Sequence, residues 1–245
     1  MERPVLLVTG GGRGIGAAIS KLAGARGFDV AVNYRQDAAA AAGVVDAVKA
    51  SGARAVAIQA DVSREADVER LFAEVDSRLG RLTHLVFNSA ITPKLSRVES
   101  MSTEALKEVF DVNVIGAFMV TRAAIARIST RHGGRGGAIV LVSSITAVLG
   151  APNAYVWYAA SKGAINTMAT GLSLELAEDG IRVNAVMPGL TDTGTTEPER
   201  IAQVVPMIPL KRIGQPDEVA RSVLFLLSDE ASYVTGANLK VSGGR

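Results

Sequence analysis

The sequence predicts an α/β protein in which a mostly parallel, seven-stranded sheet carries helices on both faces. Short apolar runs alternate with longer helical stretches along all 245 residues. The apolar runs are continuous, as expected of strands that are buried on both faces of a parallel sheet. No linker, repeat or low-complexity tract divides the chain. Repeated βα units imply right-handed crossovers, so we expect one doubly wound domain over residues 1–245.

Each element is predicted from its pattern. Seven apolar runs are predicted strands: Val5–Val8, Val30–Asn33, Ala55–Gln59, Leu85–Phe87, Ala138–Val142, Arg182–Val186 and Asn238–Val241. Six stretches between them are predicted helices: Ile15–Arg26, Ala38–Ala50, Glu65–Leu79, Thr103–Ile128, Tyr155–Glu178 and Pro216–Leu227. The last helix begins with Asp217 and Glu218, where the helix dipole favours acids.

Composition excludes several functional classes. The chain has no Cys, which rules out disulfides and thiolate chemistry and fits a reducing compartment. Its two histidines, His84 and His132, lack metal-ligand spacing, so no metal site is predicted. The net charge of +2 and the scattered basic residues predict neither a nucleic-acid partner nor a membrane surface. No signal peptide and no apolar stretch of membrane-spanning length is expected, which favours a soluble, cytoplasmic protein.

A glycine-rich loop follows the first predicted strand and opens the first predicted helix. It reads Thr-Gly-Gly-Gly-Arg-Gly-Ile-Gly over Thr9–Gly16. Glycines let the backbone turn tightly and approach a pyrophosphate, which the helix N-terminus then holds. A glycine-rich turn without a ligand is the alternative, but the strand–loop–helix context favours a dinucleotide site. The residues predicted to contact it are Gly10, Arg13, Gly14, Ile15 and Gly16.

The end of the second strand bears on the choice of cofactor. Folds that bind NAD commonly place an acid here to grip the ribose hydroxyls, but this chain reads Asn33-Tyr34-Arg35 and has no acid before Asp37. Arg35 and Arg13 could instead clasp a 2′-phosphate with their guanidinium groups. NADP(H) is therefore favoured over NAD(H), with Tyr34 beside the same site. The alternative is that both arginines are solvated surface groups.

Asp61-Val62 follows the third predicted strand. At that position the pair could reach an adenine ring. Asp61 could equally belong to the N-cap region of the helix that begins at Glu65, because Asp is a favoured capping residue. Both interpretations remain open from the sequence.

Tyr158 and Lys162 are the strongest candidates for catalysis. Four residues apart on a predicted helix, their side chains share one face. An ammonium group beside a phenol favours the phenolate, so we expect the pKa of Tyr158 to fall towards the range of an acid/base catalyst. Ser143 and Ser144 lie fifteen and fourteen positions upstream. The spacing alone is a weak signal, but together with the serines and the glycine-rich loop it is specific.

Together these motifs resemble the classical short-chain dehydrogenase/reductase family, a resemblance that runs from Val5 to Arg245. The hallmarks occur in order: Thr9–Gly16, Asn113 in Asn113-Val114-Ile115-Gly116, Ser143-Ser144, Tyr158 with Lys162, and Pro188-Gly189. Within the family the chain is similar to bacterial members described as glucose-dehydrogenase-like. The resemblance implies a Rossmann-type fold, a nicotinamide cofactor and a homotetramer built through Thr103–Ile128, Tyr155–Glu178 and the last strand.

The resemblance also implies a role for each catalytic candidate. Tyr158 would protonate a carbonyl oxygen as hydride arrives, and Lys162 would lower the pKa of Tyr158 and hold the nicotinamide ribose. Ser144 would hydrogen-bond the substrate oxygen, while Asn113 would anchor a water that links Lys162 to solvent. Ser144 is preferred to Ser143 because side chains alternate at a strand end. The spacing from Ser144 to Tyr158 exceeds the usual family spacing by one residue, which the loop 151–157 could absorb.

Further cofactor contacts follow from the same resemblance. They are Asn88, Ser89, Ala90, Pro188, Gly189, Thr191 and Thr193, together with Tyr158 and Lys162. The family usually reads Asn-Asn-Ala-Gly after the fourth strand, whereas this chain has Phe87-Asn88-Ser89-Ala90. An added methyl group in a well-packed contact costs about 1–3 kcal/mol, so Phe87 and Ala90 bear on cofactor affinity. A tolerated repacking is the preferred interpretation.

The predicted function is NADPH-dependent reduction of a carbonyl in a small molecule to a secondary alcohol. A segment around 190–212, which contains Pro198, Pro206 and Pro209, is predicted to be the substrate lid. Two alternatives stay open. One is a nucleotide-binding sensor or regulatory protein with little turnover, and the other is an epimerase or dehydratase on the same fold.

Overall fold

Seven strands form one sheet in the computed structural model, which describes residues 3–194 and 196–245. The strands are β1 (Val5–Val8), β2 (Asp29–Tyr34), β3 (Ala55–Gln59), β4 (His84–Phe87), β5 (Gly137–Val142), β6 (Ile181–Pro188) and β7 (Asn238–Val241). Their order is β3-β2-β1-β4-β5-β6-β7, and every neighbouring pair is parallel. The predicted doubly wound sheet is therefore confirmed.

Helices connect the strands. They are α1 (Gly14–Ala25), α2 (Ala38–Ala50), α3 (Glu65–Arg78), α4 (Thr103–Phe110), α5 (Gly116–Ile128), α6 (Thr146–Leu149), α7 (Val156–Glu175), α8 (Pro198–Val204) and α9 (Pro216–Leu227). The sequence did not predict the short helices α6 and α8. The single helix predicted over Thr103–Ile128 is interrupted by a π-helical turn at Asp111–Ile115.

The core lies on both faces of the sheet, which explains the continuous apolar strands. Alternate residues of β1 point to opposite faces, so that Leu7 packs in one hydrophobic cluster and its neighbour Leu6 in the other. The strand order reverses between β1 and β4. The connections that leave the carboxyl ends of these two strands therefore run to opposite faces of the sheet and leave a crevice between them. Ligands of open α/β sheets bind at such a switch point.

The α4–α5 stretch corrects one expectation from the sequence. Thr103–Ile128 is, by length and composition, apolar enough to cross a membrane, although no such stretch was expected. Core helices of soluble proteins pass the same test, and 44 % of the most apolar part of this stretch is buried inside the protein. Val120, Ala124 and Ile128 of this stretch pack in the core.

Candidate active site

The glycine-rich loop brings the start of α1 close to the end of β1. Gly10 and Gly14 have left-handed backbones, with φ of +60° and +50°. A Cβ on Gly16 would lie 2.3 Å from the Gly10 carbonyl oxygen, so only glycine fits there. The N-cap residue Arg13 makes no side-chain capping bond to α1. The first turn of the helix is thus left to bind an anion through its backbone N–H groups.

Thr9 and Asn88 tie this loop to the end of β4. The Asn88 Nδ2 atom donates to the carbonyl oxygens of Thr9 and Gly10, both at 3.1 Å. The Thr9 hydroxyl accepts from the backbone N–H groups of Asn88 at 3.0 Å and Ser89 at 3.1 Å. Asn88 was predicted as a cofactor contact, and its side chain shapes the loop. Thr9 begins the glycine-rich motif, but its role as an anchor was not predicted; a hydroxyl directly after an apolar strand is the signal that could have found it, and in the structure it is buried.

Asn33 is a second polar anchor of the site, and its role was not predicted from the sequence. It is buried in β2, where its Oδ1 accepts from Gly10 N at 3.3 Å. Its Nδ2 donates to the carbonyl oxygens of Ala60 at 3.0 Å and Ile58 at 3.3 Å. One side chain therefore fixes the glycine-rich loop relative to β2 and β3.

A cavity of about 300 Å³ lies at the carboxyl ends of β1 to β4. Nine of the predicted cofactor residues line it: Gly10, Arg13, Tyr34, Arg35, Asp61, Val62, Asn88, Ser89 and Ala90. The others are not part of this lining: Gly14, Ile15, Gly16, Pro188, Gly189, Thr191, Thr193, Tyr158 and Lys162. Thr193 nonetheless meets the loop, since its Cγ2 lies 3.0 Å from the Cβ position of Gly14.

The segment after β6 meets the glycine-rich loop at Thr193 and packs on the C-terminal segment. The Thr191 hydroxyl donates to Gly189 O at 3.1 Å, and Thr191 pairs with Gly214 in an isolated parallel bridge. A Cβ on Gly189 would lie 2.8 Å from the Cα of Ser242, so this turn packs tightly on the C-terminal segment. The predicted lid contains α8, and its residue 195 lies outside the described residues.

Two arginines and one acid carry charge on the cavity wall at the end of β2. They are Arg13, Arg35 and Asp37. The Nη1 atom of Arg13 lies 3.8 Å from Oδ2 of Asp37, and both side chains are substantially exposed. The other carboxylate oxygen of Asp37 accepts from Ala40 N at 3.0 Å and caps α2. The acid thus serves the helix start and lies beyond the strand end where a ribose-binding acid is expected.

Asp61 is held by a local turn. Its Oδ1 accepts from the backbone N of Ser63 at 3.0 Å and from the Ser63 hydroxyl at 2.6 Å. The N-cap residue of α3 is Arg64, but Asp61 is tied to the start of that helix, because its backbone N donates to Asp67 Oδ2 at 2.9 Å. Asp61 and Val62 also line the cavity wall beyond β3.

Phe87 and Ala90 depart from the family pattern without obstructing this cavity. Phe87 is fully buried in the hydrophobic cluster that contains Leu7 and Val112. Ala90 is exposed on the cavity wall. Its backbone is not left-handed; among the described non-glycine residues that conformation occurs only at Ala151, Asn153 and Lys211. The position therefore does not require glycine for its backbone.

Lys162 is a buried cation on α7. Its Nζ donates to the Val142 carbonyl oxygen at 2.8 Å and lies 5.8 Å from the centre of the Tyr158 ring. Burial lowers the pKa of Lys162 to about 8. Ser143 donates to the Lys162 carbonyl oxygen at 2.9 Å and so faces the backbone of α7.

Tyr158 has two hydroxyl partners, those of Thr92 and Ser144. Burial of the phenol raises the pKa of Tyr158, while these hydrogen bonds act in the opposite direction. The expected fall in this pKa is therefore wrong, because desolvation of the phenolate outweighs the favourable contacts. Ser144 faces Tyr158 and Ser143 does not, as the alternation at the strand end predicted.

Thr146 orients Ser144. The Ser144 Oγ accepts from Thr146 N at 3.2 Å and from the Thr146 hydroxyl at 2.9 Å. Both bonds use lone pairs of Ser144 and leave its one O–H to be donated towards the site. Thr146 begins α6, which the sequence did not predict, so its role was missed with the helix.

Asn113 occupies the π-helical turn and is completely buried. Its Oδ1 accepts from Ile91 N at 2.8 Å, and its Nδ2 donates to Ile91 O and to the Ser161 hydroxyl, both at 3.1 Å. The Ser161 hydroxyl in turn donates to Tyr158 O at 2.7 Å. Asn113 thus joins the segment after β4 to the backbone of α7. Single π-helical turns are frequent at functional sites.

Comparison with known proteins agrees with this geometry. Residues 10–245 match the family described as Enoyl-(Acyl carrier protein) reductase. The chain is 45 % identical to the uncharacterized oxidoreductase YgfF of Escherichia coli (strain K12), over 98 % of this chain and 99 % of that protein. It is 37 % identical to glucose 1-dehydrogenase 2 of Bacillus subtilis (strain 168), over 97 % and 93 %.

A solved structure gives the same result for the fold. The short-chain dehydrogenase/reductase from Serratia marcescens BCRC 10948 superposes with a TM-score of 0.93 at 32 % identity. The match covers 98 % of this chain and 97 % of that one. Sequence and fold agree over nearly the whole length, and the chain belongs to the classical short-chain dehydrogenase/reductase family of oxidoreductases.

Proposed function

We propose that the protein is an NADPH-dependent oxidoreductase that reduces the carbonyl of a small molecule to a secondary alcohol. The observation that carries the proposal is the meeting of two hydroxyls, those of Ser144 and Tyr158, beside the buried ammonium of Lys162. Such donors can stabilise the charge that develops on a carbonyl oxygen when it accepts hydride.

The residues of the crevice fit a dinucleotide. The glycine-rich loop and the uncapped start of α1 would hold its pyrophosphate, and the cavity beyond β2 and β3 would take its adenosine half. Bound there, NADPH supplies the hydride. On the far side, the turn at Pro188-Gly189 and the contact of Thr193 with Gly14 support cofactor contacts from the segment after β6. We propose that the same segment, around 190–212, forms the substrate lid.

Each catalytic side chain has a task in this reaction. Tyr158 donates its phenolic proton to the carbonyl oxygen, and Ser144 donates a hydrogen bond to the same atom. Lys162 holds a positive charge near the Tyr158 ring and has further N–H donors beyond the one given to Val142. Asn113 fixes the geometry through Ile91 and Ser161, and the proposed water contact would be additional to these bonds.

The preference for NADPH can be tested at Arg35. Arg35→Ser should lower kcat/KM for NADPH by about 10- to 100-fold, because it would remove a charge-assisted hydrogen bond to the 2′-phosphate. The kcat/KM for NADH, which has no such phosphate, should change little. Rates with both cofactors would be compared in the parent and the variant. Arg78→Ser, at an exposed arginine that ends α3 outside the cavity, is the matched control. Equal losses with the two cofactors would contradict a 2′-phosphate contact.

The activity itself is tested by the loss of NADPH absorbance against a panel of ketones, aldehydes and keto-esters. One molecule of NADPH consumed for each alcohol formed would distinguish a reductase from an epimerase or dehydratase. The sensor alternative drew its support from Phe87 and Ala90, which leave the cavity open. Binding of NADPH without consumption across the whole panel would favour the sensor and contradict the reductase.

We further propose a cytoplasmic homotetramer of single-domain subunits. One continuous sheet supports a single domain. Ile115 and Phe118 remain about half exposed on the helical stretch Thr103–Ile128, and apolar side chains of that size favour burial against another subunit. A monomeric mass in light scattering would contradict the assembly.

A further inference from the structure

The segment that follows Ala90 is fixed at two points beside the catalytic helix. At its start, Ile91 is held through both backbone polar groups by Asn113, at 2.8 and 3.1 Å. Farther along, Ser96 N donates to Ala154 O at 2.6 Å, and Arg97 Nη1 donates to Asn153 Oδ1 at 3.0 Å. These bonds anchor the short stretch between Ile91 and Ser96 against the loop that leads into α7.

Thr92 lies within that anchored stretch, directly after Ile91. Its hydroxyl is a hydrogen-bond partner of the Tyr158 hydroxyl, as is that of Ser144. Three hydroxyls therefore converge at the proposed reaction centre. The resemblance to the family assigns a role to Ser144 and Tyr158, and it assigns none to Thr92.

The number of donors gives Thr92 a distinct task. A serine hydroxyl has one proton, and the lone pairs of Ser144 already accept twice from Thr146. When Ser144 donates that proton to the substrate oxygen, it has none left for Tyr158. Once Tyr158 has given up its own proton, its oxygen is a charged acceptor within a partly buried site. The Thr92 O–H can then donate to that oxygen.

We propose that Thr92 is a positioning residue for the carbonyl reduction: its hydroxyl orients the Tyr158 phenol and donates a hydrogen bond to the phenolate. The expected effect of Thr92 on turnover rests on the proposed function. The hydrogen bond with Thr92 lowers the pKa of Tyr158, against the rise caused by burial. That direction is expected of a donor that favours the charged form.

The test compares Thr92→Val, which removes the hydroxyl at nearly constant shape, with Thr92→Ser, which keeps it. Tyrosine isotopically labelled at the ring carbon that bears the hydroxyl reports on each phenol by magnetic resonance, and loss of one signal in Tyr158→Phe assigns Tyr158. Thr92→Val should shift the Tyr158 signal and raise the pH at which Tyr158 titrates. Thr92→Ser should keep both near the parent.

Turnover provides the second measurement. Thr92→Val should lower kcat by about 3- to 10-fold, the range for one hydrogen bond, with KM changed less and recovery in Thr92→Ser. An unchanged Tyr158 signal and titration in a folded Thr92→Val protein would overturn the proposal, even where Tyr158→Phe abolishes turnover. A shifted signal with unchanged turnover in Tyr158→Phe would support the contact with Thr92 and contradict the reductase mechanism instead.

Discussion

Replacement of Tyr158 by Phe should lower the rate of carbonyl reduction by about 10²- to 10⁴-fold, the usual contribution of a positioned general acid. The change removes one oxygen and keeps the ring, which packs edge to face against Tyr155 with ring centres 5.3 Å apart. The fold should therefore persist. NADPH consumption with an active ketone measures the loss, and thermal unfolding checks that the protein remains folded.

Tyr155→Phe is the matched control for this experiment. Tyr155 immediately precedes α7, and its ring packs against that of Tyr158. It has no lysine four residues later, because position 159 is Ala. Its variant should retain most of the parent rate. Comparable losses of rate in both variants would indicate that the change acts through the packing of the two rings and not through proton donation by Tyr158. Full activity in Tyr158→Phe would exclude this phenol as the proton donor.

The sequence predicted all seven strands, most of them because strands buried on both faces are apolar without interruption, a pattern that needs no knowledge of distant contacts. β7 is the exception, since it reads Asn-Leu-Lys-Val and is largely exposed. It also predicted the distinct directions of Ser143 and Ser144, which follow from the geometry of a single strand. The short helices α6 and α8 were not predicted, since a few residues carry too little periodicity to distinguish a helix from a loop. The π-helical turn was not predicted either, because the apolar pattern around Asn113 is that of an ordinary helix.

The contacts that the sequence did not predict are tertiary. Thr9, Asn33, Thr92 and Thr146 act through partners that are distant along the chain or that depend on an unpredicted turn. The pKa of Tyr158 shows the same limit. Helical spacing identified Lys162 as a neighbour, but it gave no measure of burial and no sign that the ammonium bonds Val142. Desolvation then determines the direction of the shift.

Replacement of Lys162 by Met should lower kcat/KM by about 100-fold or more, comparable with the removal of a preorganised donor from other active sites. Methionine matches the length and apolar stem of lysine but has neither charge nor donor. Steady-state rates over a range of substrate and NADPH concentrations measure the change. Since the Val142 carbonyl loses its partner as well, thermal unfolding should accompany the kinetics.

The pH dependence separates the charge of Lys162 from its packing. With a pKa of about 8, Lys162 is an ammonium below that pH and becomes neutral above it. Because kcat/KM reports on groups of the free enzyme, the parent value should fall as the pH rises through about 8. Lys162→Met has no charge to lose, so its lower kcat/KM should stay level across the same range. A fall of equal size at the same pH in Lys162→Met would assign that titration to another group and leave Lys162 with a structural role alone.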